Sequence, residues 1–198
     1  MVTRVYNRGM NVEVLAELIE HKVAPSPLVG VQGLVNTYSW EDDLELLGDP
    51  EQGREWLVSA GLLDDGATVS PEELATLVEF REALREVLTS NHTGEPSAVA
   101  TAKLADLAAR HPVSYEVSGQ GEVALDLEPA PAVGSLIGQV IGIVHHAQAL
   151  GEWQRLKICA ADDCRWAFYD TSKNRSGTWC QMELCGNRTK NRRYRSKV

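Results

Sequence analysis

All four cysteines of this 198-residue chain fall in one 27-residue stretch, Cys159, Cys164, Cys180 and Cys185. The spacing is C-x4-C, fifteen residues, then C-x4-C. Two close pairs separated by enough chain for a hairpin can bring four thiolates around one tetrahedral ion, which ties a short segment to one closed geometry. Disulfides are the competing use of such a set, but they need an oxidising compartment, and Met1 to Gly9 shows no apolar stretch followed by a small-residue cleavage site. The expectation is therefore a reduced set in a cytoplasmic protein. An iron–sulfur cluster also takes four thiolates, and spacing alone does not separate it from zinc, although the usual ferredoxin runs are not matched. The ligand count and paired spacing suit one structural zinc ion per chain.

Charge divides the chain at the same place. Residues 155–198 carry 11 Lys+Arg against 4 Asp+Glu, whereas residues 1–154 carry 8 against 24, and the whole sums to -9. An acidic body with a basic tail points to an anionic partner for the tail, with the body repelling that partner elsewhere. A solvated basic terminus is the plainer alternative. Hydrophobic residues make up 43% of the chain, enough to bury a core in one ordinary domain with a small appendage.

Along the body, Val12 to His21 has apolar residues at helical spacing. The run Gly30 to Thr37 is apolar and punctuated by glycines, but it lacks the G-x-G-x-x-G spacing of a phosphate loop. Asp49-Pro50 starts a short helix through Leu57, closed by Gly61. Ser70-Pro71-Glu72-Glu73 is a capping box opening a helix to about Ser90, with Leu74, Leu77, Val78, Leu84, Val87 and Leu88 as its inward stripe. Arg81 and Arg85 interrupt that stripe. They are read as exposed helix arginines pairing with Glu82 or Glu86, with an anionic effector as the alternative. A further helix covers about Pro96 to Arg110, with Val99, Leu104, Leu107 and Ala108 inward. The alternation of Val113, Tyr115, Val117 and Val123, Leu125, Leu127 around a Ser118–Gly121 turn predicts a β-hairpin with one buried face, with Asp126 and Glu128 on the solvent side. Pro131 begins the central core helix, with Gly134, Gly138 and Gly142 as a stripe for close packing. This run is shorter than the roughly 20 apolar residues of a bilayer span. His145-His146 lacks a third ligand and is read as helix surface.

In the tail, Ile158-Cys159 and Arg165 to Tyr169 read as strands flanking the first cysteine pair, with Trp166, Phe168 and Tyr169 as a small aromatic core. No Gly/Pro-rich linker precedes them, so the unit should dock on the body. It is too short to fold on buried area alone, so the metal should supply much of its folding free energy. Gly186 to Lys197 reads as a helix of roughly 18 Å. Asn187 and Asn191 are candidate base readers, and Arg188, Lys190, Arg192, Arg193, Arg195 and Lys197 candidate phosphate or base contacts on double-stranded DNA. Neutralising about four phosphates would give a log affinity against log salt slope of about -3.6. The plainer reading is that Asn187 and Arg188 only brace the metal site.

Cys159-Ala160-Ala161-Asp162-Asp163-Cys164-Arg165-Trp166-Ala167-Phe168-Tyr169-Asp170, then Ser172 to Cys180, and Cys185-Gly186-Asn187-Arg188 closely resemble the CGNR zinc-finger family of bacterial transcription regulators. Leu34-Val35-Asn36-Thr37, Trp56-Leu57 to Gly61-Leu62-Leu63, and Phe80-Arg81-Glu82-Ala83-Leu84 resemble the ABATE domain that precedes this finger and is linked to stress-induced regulation. The resemblance implies zinc on the four cysteines, DNA binding by the C-terminal unit, and a sensor-like N-terminal domain. The whole is then an α+β protein. A mostly helical N-terminal domain with a β-hairpin covers 1–151, and a small four-cysteine zinc finger, β-hairpin then helix, covers 152–198. Asn36, Thr37, Arg81 and Arg85 are the candidate contacts for an unknown small-molecule effector. One short reading helix suggests a homodimer for specificity. The chain has no G-x-S-x-G, H-E-x-x-H or Walker motif, and a closed four-thiolate ion offers no site for water, so an enzyme is not expected. The rival function is a protein- or RNA-interaction module in which zinc is only a staple.

Overall fold

The computed structural model describes residues 9–112, 114–126 and 132–195. Asn11 accepts from Val14 N and caps α1 (Val12–Ile19). The glycine-punctuated run becomes α2 (Leu28–Val35), in which every residue is buried. Such a helix has no polar face to offer water, so it sits inside the molecule with α1 and the later helices around it. A tight β-ladder follows, β1 (Tyr38–Ser39) antiparallel to β2 (Leu44–Glu45), with Tyr38 opposite Glu45. Asp49 caps α3 (Pro50–Ser59) through Glu51 N and Gln52 N, with Pro50 in the first turn. Gly61 then turns at φ 65°, where an added Cβ would strike the Gly9 backbone.

The Ser70–Glu73 capping box is formed in both directions, and α4 (Pro71–Thr93) runs 23 residues before Gly94 ends it at φ 76°. Ser97 caps α5 (Ala98–Arg110). Its inward residues are Ala100, Leu104 and Leu107, at i, i+4 and i+7. Val99 is 83% exposed, contrary to the reading above, because it stands about 100° around the helix from that stripe. Central helix α6 (Ala132–Ala149) buries Val133, Leu136, Ile137, Val140, Ile143 and Val144 and packs on α2 and α4. Gly134 and Gly138 are buried on it, and Gly142 is half-buried.

The hairpin of β3 (Ser114–Val117) and β4 (Val123–Asp126) forms with Val117 opposite Val123 and Tyr115 opposite Leu125. Its expected buried face is corrected: Tyr115, Val117 and Val123 are all exposed, because among the described residues the hairpin is a sheet of two strands with no layer packed against it. Val113, Leu127, Glu128 and Pro131 lie outside the described residues. The last sheet pairs β5 (Leu156–Ile158) with β6 (Ala167–Tyr169) in antiparallel register. Leu156, Ile158 and Ala167 join the main hydrophobic core, where β5 lies against α4. A π-turn (Met182–Gly186) leads into α7 (Asn187–Arg195). The expected docking of the cysteine region is thus present, and its first hairpin is part of the body's packing. No helix among the described residues is long and apolar enough to cross a membrane.

Candidate metal centre and basic helix

The four cysteines sit on three different local structures. Cys159 directly follows β5, and its N–H donates to Trp166 O at 2.9 Å across the hairpin. Cys164 closes a turn by donating from its N–H to Ala161 O, also 2.9 Å, and Arg165 follows at φ 52°. Cys180 precedes the π-turn and Cys185 lies inside it. All four sulfurs are buried and lie within 4.8 Å of one another. Cys180 Sγ is 3.6 Å from both Cys164 Sγ and Cys185 Sγ. Tetrahedral placement of four sulfurs at about 2.3 Å from an ion requires edges of roughly 3.8 Å, so these spacings fit a four-thiolate site with little movement.

The electrostatics favour a cation at this point. Hydrogen bonds from Cys164 and Cys180 lower the Cys159 thiol, helped by backbone N–H groups of Ala161 and Cys180. The hydrogen bonds with Cys159 push Cys164 and Cys180 up, with burial adding to both, while burial pushes Cys185 up. Four thiolates this close repel one another, so together they need a positive ion among them. Ala161, Phe168 and the flanking Trp166 and Trp179 form a small apolar cluster around the sulfurs. Phe168 is fully buried, as the aromatic-core reading expects, whereas Tyr169 packs against the main core. Gly186 lies close under two side chains: an added Cβ would be 2.5 Å from Met182 Sδ and 3.0 Å from Trp179 Cδ1, so both would have to give way. Its N–H closes the π-turn on Gln181 O at 3.2 Å, so it serves the turn and not a sulfur.

The body holds this unit through buried amides. Asn36 forms a two-way bond with the Ala167 peptide unit pair of groups, Nδ2 donating to Ala167 O at 3.0 Å and Oδ1 accepting from Ala167 N at 2.8 Å. Gln32 Nε2 donates to the same Ala167 O and to Lys22 O, while its Oε1 accepts from Ala24 N. Tyr169 N donates to Lys22 O, and Lys22 Nζ lies over the Phe168 ring and donates to Trp179 O at 2.6 Å. Lys157 and Asp170 make a buried ion pair at 2.8 Å, and Lys157 Nζ also donates to Arg175 O, which orders the 170–177 loop.

Arg81 and Arg85 are the main correction. They are 2% and 0% exposed, not surface arginines. Arg81 makes two bonds to the Glu45 carboxylate, at 2.6 and 2.8 Å, one to Glu82 and one to Thr37 Oγ1 at 3.1 Å. Arg85 bonds Glu82 and the carbonyls of Val35 and Tyr38, and its guanidinium stacks 4.6 Å from the Trp40 ring centroid. Burial works against both cations; Glu45 outweighs it at Arg81 and raises that pKa, whereas burial prevails at Arg85 and lowers it. Burial pushes the Glu82 carboxyl up, but Arg85 and Arg81 outweigh it and hold it low. Thr37 thus belongs to this network with the arginines, while Asn36 faces β6. Trp40, Glu41, Glu45 and Gln32 were not singled out by spacing, since they lie in a turn or on a uniformly apolar helix.

On α7, Asn187, Lys190, Asn191, Tyr194 and Arg195 are exposed. Asn187 Nδ2 donates to Glu183 O at 3.1 Å. Arg188 reaches back to Cys185 Sγ at 3.6 Å and forward to Glu41 at 2.8 Å, with its Nε 3.4 Å from Asp163. Arg192 pairs with Asp163 at 2.7 Å. Arg188, Asn191, Arg192 and Arg195 line a shallow groove of about 320 Å³ along one side of the helix. The side chain of Arg193 and all of Lys197 lie outside the described residues.

A family model for the CGNR zinc finger matches residues 155–197, and the ABATE model, described as a "putative stress-induced transcription regulator", matches residues 31–155. No curated protein matches the chain.

Proposed function

Because the chain belongs to the ABATE family, whose model is described as a "putative stress-induced transcription regulator", and carries a CGNR zinc finger over residues 155–197, we propose that it binds double-stranded DNA through α7. One zinc ion on Cys159, Cys164, Cys180 and Cys185 would set the helix in place. Four thiolates complete a tetrahedral shell, so the ion's part is structural and no catalytic step is assigned to it. The observation that carries this reading is the groove on α7, framed by three guanidinium groups and the Asn191 amide, on a helix whose first turn is fixed through Cys185. Guanidinium groups match phosphate oxygens in pairs, and an asparagine beside them can bond an adenine edge. In this reading Lys190 and Arg195 meet phosphates, Asn191 reads bases, and Asn187 braces the π-turn as its bond to Glu183 suggests. The body is the sensory half, and its Arg81 and Arg85 network is the part wired to the finger through Trp40.

Selection of bound genomic fragments with the zinc-loaded chain, then salt titration by fluorescence anisotropy on selected and scrambled duplexes, tests the proposal. Selected duplex should bind more tightly, and Asn191→Ala should relax that preference while leaving the salt slope nearly unchanged, because base contacts release no counterions. Equal affinity for both duplexes with no effect of Asn191→Ala would move the protein to the interaction-module reading.

A further inference from the structure

The β1–β2 turn reaches from the body to α7, and both of its ends are engaged. At its base, Glu45 takes two bonds from buried Arg81, and the Tyr38 carbonyl accepts from buried Arg85. At its tip, two guanidinium groups lie over the Trp40 ring, Arg85 of the body at 4.6 Å and Arg165 of the finger at 5.0 Å from its centroid. Arg165 is also paired with Glu86 of α4. Next to Trp40, Glu41 Oε1 accepts from Arg188 Nη1 at 2.8 Å, across 147 residues of sequence. Asp163, in the turn between the first two cysteines, takes Arg192 and faces Arg188. Two of the three arginines lining the α7 groove are therefore held by the protein's own carboxylates, one of them contributed by the body.

We propose that the β1–β2 turn is an autoinhibitory latch, in which Glu41, seated by the Arg85–Trp40–Arg165 stack, occupies the Arg188 guanidinium that a DNA phosphate would otherwise take. The inference rests on the DNA-binding reading of α7 and adds its regulation. A carboxylate and a phosphate compete for the same guanidinium donors, so a phosphate must displace Glu41 before Arg188 contributes to binding. The buried end of the latch gives it a handle. Any change that loosens Glu45 from Arg81, or Tyr38 from Arg85, moves the strand ends that carry Trp40 and Glu41. The body can thus alter the number of cations α7 presents without unfolding the finger.

The test compares Glu41→Gln with Asp162→Asn in the zinc-loaded full chain. Glu41 is about half exposed, so its substitution leaves the core intact. Asp162 is an exposed acid next to Asp163 that removes the same charge without touching the latch. On the selected duplex, Glu41→Gln should steepen the log affinity against log salt slope by about 0.9, one more phosphate neutralised, whereas Asp162→Asn should leave it within about 0.3 of the parent. On a heparin column, Glu41→Gln should elute at higher salt than Asp162→Asn. Co-elution of the two variants overturns the latch, whether or not duplex binding is seen. A heparin difference with no duplex binding by any variant keeps the latch and overturns the DNA reading alone. Trp40→Ala provides the second variant: it should reproduce the heparin shift by unseating Glu41, and a parent-like elution would count against the stack as its seat.

Discussion

Replacing Asn36 tests most directly how the body and the cysteine unit are joined. Its amide is buried, donating to Ala167 O at 3.0 Å and accepting from Ala167 N at 2.8 Å. In Asn36→Ala the carbonyl keeps Gln32 Nε2 at 3.1 Å, so the group left without a partner is the Ala167 N–H. An orphaned buried donor costs about 1–3 kcal/mol. The space left by the amide adds up to about 1 kcal/mol, at roughly 24 cal/mol per Å³ over a few tens of Å³. A loss of about 3 kcal/mol in a domain of this size lowers Tm by roughly 6–12 °C. Asn36→Asp sharpens the test. The carboxylate still accepts from Ala167 N, but its second oxygen meets Ala167 O where the amide donated, and the charge is buried. Both effects raise the folded-state pKa above the unfolded value near 3.9, so the penalty is full above the raised pKa and shrinks as pH falls toward 4. Thermal unfolding followed by circular dichroism at fixed zinc, at pH 7 and pH 4.5, measures both variants. A Tm within about 2 °C of the parent for both at pH 7 would refute the clamp and with it the account of how the cysteine unit is held.

Elemental analysis of the purified chain should find one zinc per chain and no iron, and Cys180→Ser should lower the occupancy and expose Trp166 and Trp179, read as a red shift in fluorescence. Asp170→Asn at pH 7 should cost about 3–5 kcal/mol, because it leaves Lys157 buried without its counter-charge. Burial pushes the Asp170 carboxyl up, but Lys157 and the Ser172 and Gly177 amides outweigh it and hold it well below the ordinary range. That contribution is complete above pH about 4 and is lost as pH falls through the folded-state value, so the parent and Asp170→Asn melting curves should converge in acid. Arg85→Met and Glu82→Gln should both destabilise the chain, the first because it takes the Arg85 donor from the buried Val35 carbonyl and the second because it leaves two buried guanidinium groups short of a charged acceptor; urea unfolding midpoints equal to the parent's would refute the network.

What the sequence disclosed was what local chemistry controls. Ser70, Asp49 and Pro50 marked helix starts because capping is settled within four residues, and the cysteine spacing marked a four-sulfur site because a closed ligand set admits few arrangements. That the run after Pro131 forms a core helix was legible for a similar reason, since it is apolar over several turns. Less visible was everything decided across the fold. Arg81 and Arg85 sit at surface-like intervals on an amphipathic helix, and their burial depends on Glu45 and the backbone carbonyls of the 35–38 segment, some forty residues away, in addition to the neighbouring Glu82. Gln32 reads as an ordinary polar residue in an apolar run, and Asn36 as a candidate effector contact, until β6 is placed beside them and takes both amides. The β3–β4 alternation correctly announced a hairpin, but alternation reports the pleat and carries no information on whether a second layer exists to cover it.

The strands β5 and β6 belong to the finger by sequence and to the body by packing, and this sets an order of events during synthesis. A chain still on the ribosome with its first 150 residues emerged has α4 and α6 in hand but lacks Leu156, Ile158 and Ala167, so the apolar surface they cover stays open to water. Vectorial folding from the N-terminus therefore cannot finish the body first and the finger afterwards. The segment that completes the body's core therefore arrives in one piece with the four cysteines, and the seam closes only once both have emerged.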